Sequence, residues 1–121
     1  MSILHLKGYA PVISAVFVEQ RILTELKNSS GVDNVQLLDQ DGLVSMSISS
    51  NQNIDFSSII GVLEQTPESQ SVTITSQNAI IIANRLDKNN VLIIQLQPSC
   101  NLGLISKFFA KAVEDLNALQ V

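Results

Sequence analysis

The stretch from Asn90 to Val121 constrains the fold more than any other part of the chain. Asn90-Val91-Leu92-Ile93-Ile94-Gln95-Leu96-Gln97 is a β-branched, mostly apolar run that stops at Pro98. Such a run predicts a strand buried on most of both faces. Ser99 to Leu104 then makes a short break, and Ile105 to Leu119 follows with an amphipathic pattern predicting a helix. Its expected buried stripe is Ile105, Phe108, Phe109, Ala112, Val113 and Leu116. The rest of the chain must supply the sheet that this strand enters and this helix covers.

Upstream, Ile3-Leu4-His5-Leu6 reads as a short leading strand or an arm, within a segment 1–9. Pro11 suits the first turn of a helix, where its missing N–H is no loss. Val12, Ala15, Val16, Ile22, Leu23 and Leu26 then keep helical spacing, with Glu19 as the one misfit. Propensity alone also allows a strand over Val12–Val18; the helix formers from Glu19 to Lys27 favour the helix. Asn28-Ser29-Ser30-Gly31 ends it.

Val32 to Asp39 contains the first strand. Asp41-Gly42 predicts a hairpin with a type I′ turn, and Leu43 to Ile48 returns with Val44, Met46 and Ile48 on one face. Ser49 to Asn53 reads as a linker. Ile54 to Gln65 predicts a short helix with an apolar stripe of Phe56, Ile59, Ile60 and Leu63, closed by Thr66-Pro67. Ser57 and Gly61 add a narrow face of small residues. Ser71 to Ser76 alternates as a strand, Gln77-Asn78 turns the chain, and Ala79-Ile80-Ile81-Ile82-Ala83 is apolar enough to expect near the sheet centre. Asp87 to Asn90 makes the last hairpin turn. The order is α-β-β-α-β-β-β-α. Hairpin-length connections predict an α+β domain whose five-stranded antiparallel sheet carries helices on both faces. At 121 residues this is one domain.

The function classes narrow by elimination. A formal charge of −4 without a Lys/Arg cluster argues against nucleic-acid binding. No run approaches the length of a membrane span. Tyr9 to Val18 lacks a small-residue cleavage site after it, since Val18-Glu19-Gln20-Arg21 follows, and is not read as a signal peptide. Cys100 is the single cysteine, which excludes an intrachain disulfide and suits a reducing, cytoplasmic setting.

Catalytic constellations are not evident. His5 is the sole histidine. Asp39-Gln40-Asp41-Gly42 has paired carboxylates but lacks the remaining positions of an EF-hand loop, so a hairpin turn is preferred. Cys100 lies near a helix start, where a thiolate is favoured; without a partner group it reads as a small junction residue. Gly103 is expected to permit close helix–sheet contact, in the absence of either standard nucleotide loop. Arg21 and Arg85 are the only arginines, and a surface salt-bridge or solvated role is expected ahead of an arginine finger. No catalytic, cofactor or metal residue is assigned.

No charged residue occurs from Ser69 through Asn84. The strand at Val72–Thr75 therefore lacks the charge or proline that normally blunts an exposed edge, and it is expected to pair with another chain.

Two segments carry a resemblance. Gly31-Val32-Asp33-Asn34-Val35-Gln36-Leu37-Leu38-Asp39-Gln40-Asp41-Gly42-Leu43-Val44 resembles the opening hairpin of the roadblock/LC7 (dynein light chain) family, "PGV-x-x-x-x-L-x-D-x-D-G". Asn101-Leu102-Gly103-Leu104 resembles that family's "A-N-L-G-L" entry to its final helix. The resemblance runs from about Val12 to Leu119. It departs at Ser30, where the family often has proline, and in a shortened middle helix.

The resemblance implies a profilin-like architecture and a non-enzymatic, homodimeric regulator or scaffold for a small Ras-like GTPase. A homodimeric sensor or interaction module without a GTPase is the alternative. It further implies an interface built from the middle helix and the strand after it. Here those positions are Ser57, Ser58, Gly61 and Val62, with Val72, Thr73, Ile74 and Thr75. No GTPase-contact residue follows from the resemblance.

Overall fold

The structure, a computed structural model, describes residues 10–49, 57–65 and 68–119, with the side chains of residues 10–14 and 57–58 left aside. Elements run α1 (Ala10–Lys27), β1 (Val32–Leu38), β2 (Val44–Ser49), α2 (Ser57–Gln65), β3 (Ser71–Thr75), β4 (Ile80–Arg85), β5 (Val91–Leu96) and α3 (Leu102–Leu119). The expected element order and class hold throughout. The N-terminal arm, His5, the linker at 50–53, the helix start at Ile54 and Phe56, and the Thr66-Pro67 stop lie outside the described residues.

All five strands form one antiparallel sheet in the order β2-β1-β5-β4-β3. The middle strand is β5, not the apolar run of β4, which lies one place towards the edge. Sequence alone could not rank them, because an apolar run reports burial on two faces and not position in the sheet. Alternation along the strands divides the interior into two layers. Val35, Leu37, Ile80, Ile82, Leu92, Ile94 and Leu96 meet Ile22, Leu23 and Leu26 of α1 and the inner stripe of α3. Across the sheet, Leu38, Ala83, Val91 and Ile93 meet Ile59 and Leu63 of α2. One face thus carries two helices and the other carries one.

The buried stripe of α3 is Ile105, Phe109, Ala112 and Leu116. Phe108, expected inside, is 46% exposed. It sits about 100° around the helix from Phe109, and only one of two neighbours can meet a flat sheet. Val16 and Val44, also expected inside, are exposed as well. Asn101 caps α3: the Leu104 amide donates to its Oδ1 at 3.1 Å.

Glycine close approach occurs, but not at Gly103, which is exposed and has open space around it apart from Asn101 Oδ1 at 3.8 Å. It occurs at Gly31. There φ is +92°, and an added Cβ would meet Cys100 Cβ at 2.6 Å. The Gln97 amide donates to Gly31 O at 2.8 Å, so the end of α1 and the entry to α3 lock against each other.

Candidate functional site

The edge strand β3 is the feature most open to a partner. Beyond it the sheet has no further strand among the described residues. Its ladder to β4 is regular over all five residues, from Ser71↔Asn84 to Thr75↔Ile80. Val72 and Ile74 are half-buried and pack beneath α2, whereas Ser71, Thr73 and Thr75 are exposed on the α1/α3 side. Neither proline nor charge interrupts it.

Next to this edge lies α2, which contacts β3. Gly61 is half-buried with nothing within 4 Å of where a Cβ would stand, and Val62 is 37% exposed. Ser57 and Ser58 occupy the first turn of α2, and their side chains lie outside the described ones. The structure therefore brings Gly61 and Val62 onto the helix beside Val72, Thr73, Ile74 and Thr75.

Arg85 fixes the relation between helix and strand. Its Nη2 donates to Leu63 O at 2.8 Å and its Nη1 to Ser69 O at 3.2 Å. It thus holds a carbonyl near the end of α2, which the helix itself leaves unbonded, together with the approach to β3. These bonds give it a structural role beyond the surface salt-bridge or solvated one expected from the sequence. The sequence carried no signal for it, because the partners are backbone atoms on other elements. Arg21 is exposed on α1.

The opposite edge is built differently. Between β1 and β2 the register shifts at Leu37/Leu38, where Leu37 pairs with Met46 but Leu38 with Val44. Ser45 is the extra residue of a β-bulge, and its hydroxyl donates to Leu37 O at 3.0 Å. The turn before β2 is not type I′. Only Gly42 has positive φ there, at +82°. The Gly42 amide donates to Asp39 O and the Asp39 amide to Leu43 O, the pattern of a type I turn followed by a glycine bulge. Asp39 Oδ1 accepts the amides of Asp41 and Leu43 at 2.9 and 3.0 Å, so this carboxylate shapes the turn. The β4–β5 turn repeats the geometry, with Asn89 at φ +68° in the glycine position.

Those two turns and the end of α2 border an open cleft of about 650 Å³, lined by Asp39, Asp41, Glu64 and Arg85 over Ile60, Leu63 and Val91. A smaller groove of about 290 Å³ runs between α1 and α3 beside Phe108. Cys100 is half-buried at the α3 entry. Among the described residues no three His, Cys, Asp or Glu side chains are grouped to hold a metal, and no helix is long and apolar enough to cross a membrane.

Buried polarity sits on the α2 side of the sheet, away from β3. Asn34 and Gln36 are almost fully buried, and Asn34 Nδ2 donates to Gln95 Oε1 at 2.5 Å. In register, β2 adds Ser47 and Ser49 beside them. The face is therefore polar towards β2 and apolar towards β3.

Comparison with solved structures places this architecture. The chain superposes on the gliding protein MglB from Thermus thermophilus with a TM-score of 0.74 at 16% identity, covering 91% of this chain and 90% of that one. Myxococcus xanthus MglB gives 0.71 at 18% identity, covering 84% and 93%. A roadblock/LC7 domain from Streptomyces avermitilis gives 0.67 at 12% identity, covering 80% and 92%. No protein-family model matches the chain, and no curated protein matches its sequence. The fold is that of the roadblock/LC7 domains.

Proposed function

We propose that this protein is a non-enzymatic, homodimeric regulator or scaffold for a small Ras-like GTPase, working in the cytoplasm through a protein-binding surface. The single observation that carries the reading is the shared architecture with MglB and roadblock/LC7 domains over most of both chains. The two family-like segments support it by their positions in this chain: Gly31 to Val44 spans the first hairpin, and Asn101 caps the last helix. The regular, uncharged β3 edge supports the dimeric part, because an edge of that kind in a folded protein is normally paired. The interface it supports is Ser57, Ser58, Gly61 and Val62 with Val72, Thr73, Ile74 and Thr75.

The GTPase is tested by pull-down. The immobilised protein is offered small Ras-like GTPases from the same genome, each loaded with GTP or with GDP. The expected result is retention with a preference for one nucleotide state. Retention in neither state overturns the GTPase reading and leaves a sensor or interaction module of the same fold. A turnover assay on the retained pair then distinguishes an accelerator from a scaffold.

A further inference from the structure

The register across β2, β1, β5 and β4 lines up one row of side chains on the α2 side of the sheet. Val44 lies opposite Leu38, Leu38 opposite Val91, and Val91 opposite Arg85. Neighbouring strands stand about 4.8 Å apart, so the row crosses the face over about 14 Å. Val91 and Leu38 are buried with Ile59 and Leu63 of α2. The outer end is not covered. Val44 is 55% exposed, and Leu43 beside it at the hairpin tip is 66% exposed.

The Ser45 bulge is what puts Val44 in this row. Met46 and Ile48 pack into the α1/α3 layer, and plain alternation would send Val44 to the same side. The extra residue turns Val44 to the face of Leu38, as bulges re-aim a side chain. An apolar side chain is thus taken out of the core and set in line with Val91, on the floor of the open cleft.

The walls of that cleft are negative. Asp39 and Asp41 stand on the hairpin side and Glu64 on the helix side. None of them enters the ion pair found among the described residues, Lys111 with Asp115. Arg85, which also lines the cleft, directs Nη1 and Nη2 at the Ser69 and Leu63 carbonyls. Asp87 and Lys88 in the neighbouring turn offset each other.

We propose that this cleft docks a short peptide segment of a partner protein, one that sets an aliphatic side chain beside Lys or Arg. The aliphatic group covers Val44 and half-buried Ile60, and the basic groups reach exposed Asp41 and Glu64. Negative walls repel nucleic acid and anionic membrane surfaces, which leaves a basic protein segment as the matching occupant. A bare cation fits poorly: among the described residues no three His, Cys, Asp or Glu are grouped to hold a metal. The floor between the walls is also apolar, with Leu63 and Val91. Because the bulge breaks the β2 ladder, the segment lies on the sheet face and is held by side chains, not by strand pairing. The row runs away from β3, so the proposal stands apart from the homodimeric and GTPase readings.

The full chain is panned against random peptides displayed on phage, and an enriched peptide is titrated by fluorescence anisotropy. Enrichment of peptides with Leu, Ile or Val next to Lys or Arg is expected. Val44→Ser should weaken such a peptide about tenfold, the scale of one buried aliphatic side chain. Asp41→Lys combined with Glu64→Lys should abolish binding, and restore it to the same peptide remade with Glu in place of its basic residues. Phe108→Ser, in the separate groove between α1 and α3, should change nothing. These positions are all exposed, so each variant should keep the melting temperature of the parent. No enrichment, or enrichment of acidic or purely polar peptides, overturns the proposal. So does binding that ignores Val44 and the charge reversal, or that follows Phe108.

Discussion

The two edges of this sheet differ in how they treat an approaching strand. At β2, the Ser45 bulge breaks the register and a serine hydroxyl takes up the Leu37 carbonyl. The α2-side face there is polar, with Ser47 and Ser49 beside buried Asn34 and Gln36. At β3, the ladder is regular, the face beneath α2 is apolar, and no charge is present. Neither edge uses charge or proline within its strand, yet only β2 has a bulge, one of the devices that discourages edge pairing. Backing differs too: α1 lies against β1 and β2, whereas α2 lies against β3. A sheet can therefore restrict growth at one side and invite it at the other without a single charged residue.

The comparison is open to experiment, beginning with the frame that both edges share. Phe109 is buried in the layer between α3 and the sheet. Phe109→Ala should cost about 3–5 kcal/mol of stability in denaturant unfolding; a loss under ~0.5 kcal/mol, the range of surface changes, would place that helix outside the core. Thr73→Pro should remove hydrogen bonds at the centre of the free edge and give a monomer by sedimentation. Thr73→Lys should weaken the proposed dimer by placing a charge on an edge that has none, while Ser47→Lys at the bulged edge leaves the mass unchanged. Equal effects at both edges would erase the distinction.

Smaller effects probe the support of the β2 edge. Gly42 holds φ +82° in the turn that leads into it, so Gly42→Ala should cost about 1–2 kcal/mol. Asn89→Gly, in the matching turn of β4–β5, should be neutral or mildly stabilising. A smaller shift is expected on α1, the helix that backs this edge. Burial raises the Glu19 carboxyl above its ordinary range, because the charged form is the one penalised. Its cost is present in full above the raised value and vanishes below the unfolded carboxylate range. Glu19→Gln should therefore raise the melting temperature at neutral pH, and the gap should close as the pH falls. A constant gap would separate the effect from ionisation.

Much of the fold was legible because it rests on periodicity. Most of the elements announced themselves by spacing. The helix α1 needed the helix formers from Glu19 to Lys27 to decide it, and β4 was read from an unbroken apolar run. Asp41-Gly42 and Asp87 to Asn90 marked two of the hairpins. The turn type was not legible, because Asp-Gly serves a type I′ turn and a type I turn with a glycine bulge alike. The Gly31–Cys100 approach and the Arg85 bonds were hidden for another reason: they join elements that touch only after the sheet assembles. Asn34 and Gln36 alternate with Val35 and Leu37 as in a strand with one wet face, but they are buried. For the candidate site, the lack of charge at β3 could be read directly. Its place at the edge, expected from that lack of charge, agrees with the strand order, whereas the bulge that sets β2 apart came only with the structure.

The position of β5 has a consequence for how the chain must be made. The middle strand of the sheet is the last strand in the sequence, and its contact between Asn34 and Gln95 spans 61 residues. During synthesis the β1–β2 and β3–β4 hairpins emerge first, each with one long side still unpaired. Neither can find its neighbour until β5 arrives to sit between them, so closure of the sheet is a late, non-local event. Until then the nascent chain exposes apolar strand edges on β1 and β4, the kind of surface on which partly folded proteins aggregate. An interruption just before Val91 would release two separate hairpins in place of a trimmed domain.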